Sequence, residues 1–318
     1  MTTEEKKAIT HISGGADRAP VISVVMSILN TSVPVLKEAV DSILQQTFSD
    51  FEFIIIDDGS TDEETVAYLD GVAVSDPRVK ILRNEVNLGT TKSLNIGFSA
   101  ARGKYIARMD GDDISFPERF SKQYAFMESH PDVIVCGCRV TTDRNDASPA
   151  KGKMEDMDSY RIKMLFRNPG PTHPTAFFRR SVLLEKHIEY DESLRYSQDY
   201  GMWAELVKYG RICILQDRLV YYRIHDGQVS KAHREEQIRC DKVTQKKLLC
   251  ELLGDVTEEE LDLHYRYSTL YYRGQKLTKD VRRWYRKLIR ANNKMRIYPR
   301  FLFRRRVYRL MLGILKRG

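Results

Sequence analysis

Apolar positions along this chain fall into two regimes. From Val21 to Leu29 they run almost unbroken and are rich in β-branched residues, the pattern of a strand buried on both faces. Thr31 or Ser32 then caps a helix with Pro34 in its first turn, whose apolar face is Leu36, Val40, Ile43 and Leu44. Phe51 to Ile56 reads as a second buried strand ending in Asp57-Asp58-Gly59-Ser60. Ser60 to Glu63 has the form of a capping box opening a helix to about Val74. Arg78 to Leu82 predicts a third strand, Asn87-Leu88-Gly89 a turn, and Thr91 to Ala101 a helix ended by Gly103. Tyr105 to Met109 is the fourth strand. Strand and helix alternate four times, which predicts an α/β fold with a Rossmann-like, mostly parallel sheet flanked by helices. After Ser230 the pattern becomes helical: Ala232 to Leu253 is polar with scattered apolar residues, and Thr257 to Glu260 is another capping box.

Right-handed crossovers place all the strand C-terminal ends on one edge of such a sheet, where open α/β sheets bind ligands. Asp57/Asp58 and Asp110/Asp112 both sit at such ends. Three carboxylates within Asp110-Gly111-Asp112-Asp113 repel one another unless something positive lies among them. Hard oxygen ligands around one small loop suit Mn²⁺ or Mg²⁺. The plain alternative is an acidic turn leading into a helix at Pro117 and Glu118. No G-x-G-x-x-G follows the first strand and no Walker lysine loop is present, so a diphosphate must be held another way. A cation on Asp112 does that.

Charge changes the picture of the C-terminal end. The chain has 318 residues and a net charge of +8. From Tyr265 to Gly318 there are 18 Lys/Arg against the single acid Asp280, a surplus of 17, so the remainder carries 8 − 17 = −9. That asymmetry predicts an acidic partner for the basic end. The division expected is a loose polar tail over 1–19, an α/β domain over 20–230, and a basic helical extension over 231–318. The tail has no apolar core of a secretory signal, and no apolar run approaches the ~20 residues needed to span a bilayer. Five cysteines, odd in number and without a C-x-x-C pair, read as buried thiols of a reducing compartment. In the last segment Phe303, Val307, Leu310, Met311 and Ile314 share one helical face, with Arg304, Arg305 and Arg309 largely elsewhere. Such a helix either lies in a membrane interface, which the basic charge favours, or packs on the domain before it.

Taken together, IIIDDGSTDEET, NLGTTKSLN, GKYIARMDGDDISFPER, QDYGMW and YRIHDGQVS resemble, in order, family 2 glycosyltransferases of the GT-A fold, most closely the bacterial enzymes of surface polysaccharide and lipopolysaccharide synthesis. The resemblance covers about Pro20 to Ser230. It implies that Asp58 accepts a hydrogen bond from the imide N–H of a uracil or thymine base, with Asp57 beside it. Asp110 then lies on the ribose side, Asp112 holds the cation that bridges the diphosphate, and Lys92 counters phosphate charge unless it only lines a solvated helix face. In the family the first strand usually ends in Tyr-Asn, the Tyr stacking on the base; here it ends in Leu29-Asn30. Gly111 replaces a common Ala, a harmless change beyond a looser turn. Asp199, in Gln198-Asp199-Tyr200, matches the family's general base, with a helix N-cap as its plain alternative. His225 matches a loop histidine on the metal or diphosphate, or is a surface histidine. His173 is either a ligand contact or a structural loop residue.

The resemblance therefore implies an inverting, metal-dependent transfer of a sugar from a UDP- or dTDP-sugar to a glycan or lipid-linked acceptor. The processive Q-x-x-R-W signature is missing, which implies one sugar per encounter. The expected site is cytoplasmic, peripheral on the inner face of the cell membrane. Two rivals differ in class. A sugar-nucleotide pyrophosphorylase needs a Gly-rich basic loop after the first strand, where this chain has LNTSVPVLK. A basic nucleic-acid-binding protein fits the C-terminal charge but not an acidic crevice, so no nucleic-acid partner is expected.

Overall fold

The computed structural model describes residues 18–150, 154, 156–224, 233–268 and 276–315. The tail assigned to 1–19 lies outside this set except for Arg18 and Ala19, and His225 also lies outside it. The first four strands follow the apolar runs: β1 (Ile22–Ile28), β2 (Phe51–Asp57), β3 (Val79–Arg83) and β4 (Tyr105–Asp110). Helices α1 (Val33–Leu44), α2 (Glu63–Ser75) and α3 (Thr90–Ala100) connect them. β1 pairs in parallel with both β2 and β4, and β2 with β3, so Ile28, Asp57 and Asp110 end on the same edge. α1 buries Leu36, Ala39, Val40 and Ile43, the predicted face at helical spacing.

The capping box at Ser60 is misplaced by two residues. Asp62 is the N-cap of α2 and accepts from Thr65 N at 3.0 Å. Ser60 instead accepts from Asn30 N at 2.9 Å, and Asn30 Oδ1 accepts from Thr61 N and Asp62 N. The end of β1 competes for the groups that a local box would have used.

Beyond β4 the sheet continues with β5 (Ile114–Ser115), β6 (Val133–Thr141), β7 (Phe177–Arg179) and β8 (Arg211–Tyr221), in the order β3-β2-β1-β4-β7-β6-β8-β5. β7 is antiparallel to both β4 and β6, which makes the sheet mixed. The run from His173 to Arg179, which reads in sequence as one strand leaving a Pro-rich loop, divides: His173–Thr175 form a 3₁₀ turn and only Phe177–Arg179 pair. α4 (Arg119–Ser129), α5 (Met157–Met164), α6 (Arg180–Lys186) and α7 (Gln198–Leu206) cover these strands.

The helical extension comprises α8 (Arg234–Leu253), α9 (Glu258–Ser268), α10 (Lys279–Met295) and α11 (Arg300–Leu315). Its apolar faces join the core on one side of the sheet, so the extension and the α/β part share one hydrophobic cluster that includes Ile106, Phe166, Phe178, Trp203, Leu249, Trp284 and Phe303. The terminal helix overturns the expected membrane-facing stripe. Phe303 and Val307 are fully buried, Leu310 is nearly so, and Met311 and Ile314 pack against the same cluster. Phe303 lies against Tyr298 and Phe166, with ring centroids 5.4 and 6.4 Å away. The predicted stripe meets protein and is not open to lipid. None of the described helices is long and apolar enough to cross a membrane.

Candidate functional site

The site forms where β1, β2 and β4 end. Asp58, 2% exposed, accepts from Leu88 N at 2.8 Å, Gly89 N at 2.9 Å and Asn84 Nδ2 at 2.8 Å. Gly89 has φ +88°, a conformation that L side chains rarely adopt, and this lets its N–H turn toward the carboxylate. Asp58 therefore shapes the Asn87-Leu88-Gly89 turn, and any contact to a base uses its remaining lone pairs. Asp57 is buried, accepts from Ser60 N at 2.9 Å and faces Arg83 at 3.4 Å. Leu29, at the base-stacking position of the family, is exposed at the rim. Lys92 sits half-buried in the first turn of α3, just after the Asp58-bound turn.

The acidic loop is denser than Asp112 alone. Asp110, Asp112 and Asp113 each offer a carboxylate oxygen, and all three atoms lie within 4.8 Å of one another. Asp113 Oδ1 accepts from Arg223 N at 3.0 Å, while Oδ2 is buried without a partner among the described residues. Burial, then the charges of Asp110 and Asp112, push Asp113 up to about 8. Burial also raises Asp110, against the opposing pull of Arg108, with which it forms an ion pair. An orphaned oxygen among crowded like charges suits a hard divalent cation, which would relieve both. Arg223 closes the loop from the far side, donating through Nε to Asp112 O at 2.7 Å and through Nη2 to Glu38 at 2.5 Å. The carbon that Ala would add at Gly111 falls 2.5 Å from Ile28 Cγ2. Ile28 occupies the space an alanine needs, so glycine is the residue that fits this turn.

Asp199 lies on α7, within the field of Arg108, the partner of Asp110. It is the second residue of that helix, and Ser197 is the N-cap, so the capping alternative does not describe Asp199. Asn168 Nδ2 donates to Asp199 Oδ2 at 2.9 Å, and Tyr200 N to Oδ1 at 2.8 Å. Burial raises its proton affinity, while Asn168, Tyr200 N and Arg108 oppose that. Raised proton affinity in a carboxylate fixed by two N–H donors is what a proton acceptor in general-base chemistry needs. Ser197, free of the capping bond, donates to Asp241 Oδ1 at 2.5 Å, tying α7 to α8 of the extension.

The extension also anchors the segment that carries Asn168. Gln245 Nε2 donates to Phe166 O at 3.1 Å. His264 Nε2 lies 2.7 Å from Leu165 O, and Trp284 Nε1 donates to His264 Nδ1 at 3.1 Å. His173 proves structural: its Nε2 meets Tyr190 Oη at 2.8 Å, its ring lies against Trp203, and burial keeps it neutral. Asn168, Arg108, Asp113 and Asp241 were not singled out as site residues. Of these, Arg108 had a signal, a charge inside an otherwise apolar strand.

A profile of the family described as glycosyl transferase family 2 matches residues 23–187. An uncharacterized glycosyltransferase of Haemophilus influenzae is 33% identical over 233 residues, covering 70% of this chain and 71% of that protein. The amylovoran biosynthesis glycosyltransferase AmsE of Erwinia amylovora is 32% identical over 212 residues, 66% of this chain and 78% of its own. Among solved structures, S. aureus TarS 1-349 in complex with UDP-GlcNAc matches with a TM-score of 0.60 at 20% identity, covering 93% of this chain and 88% of that one. At that identity the likeness speaks for the fold.

Proposed function

Since the chain belongs to glycosyl transferase family 2 and is thereby a glycosyltransferase, we propose that it is an inverting, metal-dependent enzyme of cell-surface polysaccharide synthesis. It moves a sugar from a UDP- or dTDP-sugar to a hydroxyl of a glycan or lipid-linked acceptor. The reading is supported by an acidic trio at the end of β4 and a buried, amide-held carboxylate on α7, both acted on by the charge of Arg108. Asp58 with Asp57 and Leu29 receives the base, and Asp110 and Gly111 line the ribose side. Lys92 faces the phosphates. Asp112, with Asp110 and Asp113, would hold Mn²⁺ or Mg²⁺, which supplies charge neutralisation at the leaving diphosphate. Asp199 takes the proton of the acceptor hydroxyl as its oxygen attacks the anomeric carbon, and Asn168 keeps the carboxylate aimed. One base and no second carboxylate assigned as nucleophile correspond to inversion. His225 remains a candidate ligand on the grounds of its sequence position.

The polysaccharide assignment draws on AmsE, and the nucleotide on the UDP-GlcNAc complex of TarS. Calorimetry and melting curves with UDP, dTDP, GDP and their sugars, with and without Mn²⁺, test it. Metal-dependent binding of a uridine or thymidine nucleotide is the expected result. No metal-dependent nucleotide binding, or reversible formation of nucleotide sugar from a nucleoside triphosphate, would overturn it.

The acceptor end of this reading places the enzyme at the cytoplasmic face of the membrane. Its basic extension still supports that, but through the outer surface of α11 instead of the buried one. Phe301, Tyr308 and Leu312 are exposed beside Arg304, Arg305 and Arg309. Each such cation contributes about 1 kcal/mol near an anionic surface. Co-sedimentation with phosphatidylglycerol vesicles across a salt series is expected to show binding that weakens as salt rises and falls further in Phe301→Ser/Leu312→Ser. Intact protein that ignores these vesicles at low salt, or prefers heparin, rules membrane docking out.

A further inference from the structure

Arg108 is the charge that the transfer mechanism leaves unused. It is the fourth residue of β4, 4% exposed, and shares the alternation of Ile106 and Asp110 instead of that of Tyr105, Ala107 and Met109. Its side chain therefore lies on the sheet face that also carries Phe178, Trp203 and α7. One guanidinium nitrogen, Nη2, pairs with Asp110. Nε and Nη1 are buried and have no hydrogen-bond partner among the described residues. Its charge acts on Asp113 in the acidic loop, on Asp199 at the base, and on His173, Tyr190 and Tyr222 around them. The guanidinium is paired with Asp110 of the acidic loop, and its charge is also felt at the base.

A buried guanidinium with unmatched N–H groups is costly, and its fixed fork of donors calls for oxygen acceptors. Within the protein, the orphaned Asp113 Oδ2 belongs to the acidic trio and does not hydrogen-bond Arg108, and other candidates are engaged. Asp199 Oδ2 is held by Asn168, and the His173 and Tyr190 tips are joined to each other. We propose that Arg108 is a specificity-determining residue whose Nε–H and Nη1–H hydrogen-bond an oxygen of the donor's sugar ring substituents. This rests on the nucleotide-sugar reading above. The sugar it suits is neutral, the oxygen being a hydroxyl or an acetamido carbonyl. Asp110, Asp112, Asp113 and Asp199 bring four carboxylates to Arg108 and a divalent cation, and the Arg223 guanidinium at the loop is spent on Glu38, which leaves no positive surplus for an acidic sugar.

The test separates sugar from nucleotide. With Mn²⁺ present, calorimetry compares UDP with UDP-glucose, UDP-galactose, UDP-N-acetylglucosamine and UDP-N-acetylgalactosamine on the wild type and on Arg108→Lys. Lysine can keep the pair with Asp110 but cannot present a planar fork. The wild type is expected to separate the best and worst sugars by at least ~10-fold. The variant should flatten that ranking to within about threefold while UDP binds within about threefold of normal, the scale of one charge-assisted hydrogen bond. If UDP and every UDP-sugar weaken together, Arg108 acts only by holding Asp110, and the proposal is wrong; an unchanged ranking overturns it too. Should the variant fail to fold, monodeoxy analogues of the best UDP-sugar decide on the wild type. Loss of at least ~10-fold for one analogue supports the contact, and uniform affinity across all of them overturns it. Failure of UDP itself to bind with Mn²⁺ sinks the nucleotide-sugar reading, and this inference with it.

Discussion

The parallel half of the sheet and the helical extension carry equally clear apolar patterns, yet only one of them reveals its partner in sequence. In the first half, strands rich in Val and Ile alternate with helices, and right-handed crossover leaves few arrangements. Once Leu36, Val40 and Ile43 are assigned to a helix face, the sheet is the one surface they can cover. The extension has no such rule. Phe303, Val307 and Leu310 announce a buried face, but periodicity does not say whether protein or lipid buries it. Charge pointed to lipid; the fold gives that face to Phe166 and Tyr298. An amphipathic helix states that it needs a partner, and topology states which one.

Removing the extension's last segment separates these accounts most sharply. Deletion of the residues after Met295 takes away Tyr298, Phe303, Val307 and Leu310, all buried. At about 1.5–3 kcal/mol for each large apolar side chain, the loss is comparable with the whole stability of ~5–15 kcal/mol. The truncated chain is expected to show no cooperative melt and no nucleotide-sugar hydrolysis. A stable, active truncation would mean that the extension is an appendage after all. A milder version uses two phenylalanines of the same helix. Phe303→Ala should cost about 3–5 kcal/mol in urea unfolding. Phe301→Ala, 74% exposed, should stay within about 0.5 kcal/mol. Equal costs would contradict the packing described.

Within the site, the analogous contrast is between Asp199 and the groups that hold it. Asp199→Asn is expected to lower kcat by at least ~100-fold with UDP affinity and melting temperature near normal, as for a lost general base. Parallel loss of donor binding and stability would instead give Asp199 a structural role in α7.

The fold class was legible because every strand of the first half advertises itself by a mainly apolar run. β6 and β8 were not, since they pair across about 80 residues and their order depends on the insertion of β7. Around the candidate site, the apolar runs put Asp58, Asp110 and Asp112 at strand ends, as found, whereas Asp199 entered only through the family resemblance. Asn168 and Asp241 were not legible, because an amide in a Pro-rich loop and an acid in a polar helix look ordinary until folding brings them together. The misplaced cap at Ser60 has the same origin, a tertiary partner displacing a local one.

The smallest expected effect tests whether the extension reaches the chemistry or only supports it. Asp241, on α8, is pushed up to about 6, chiefly by burial, with the Ser197 bond opposing and the charge of Asp199 adding. An unfolded aspartate titrates near ~3.9, so between about pH 4 and 6 the folded state holds more protons than the unfolded one. Stability must then fall as pH rises through that window. Asp241→Asn removes this penalty while its amide oxygen can still accept from Ser197. Its melting temperature relative to wild type is therefore expected to improve from pH 4 to pH 7. Removing a like charge near Asp199 should also move the acid limb of kcat to lower pH, by less than about one unit. An acid limb that stays in place while kcat and the melting temperature fall together would confine Asp241 to holding α7, and leave the electrostatics of the base to the α/β half alone.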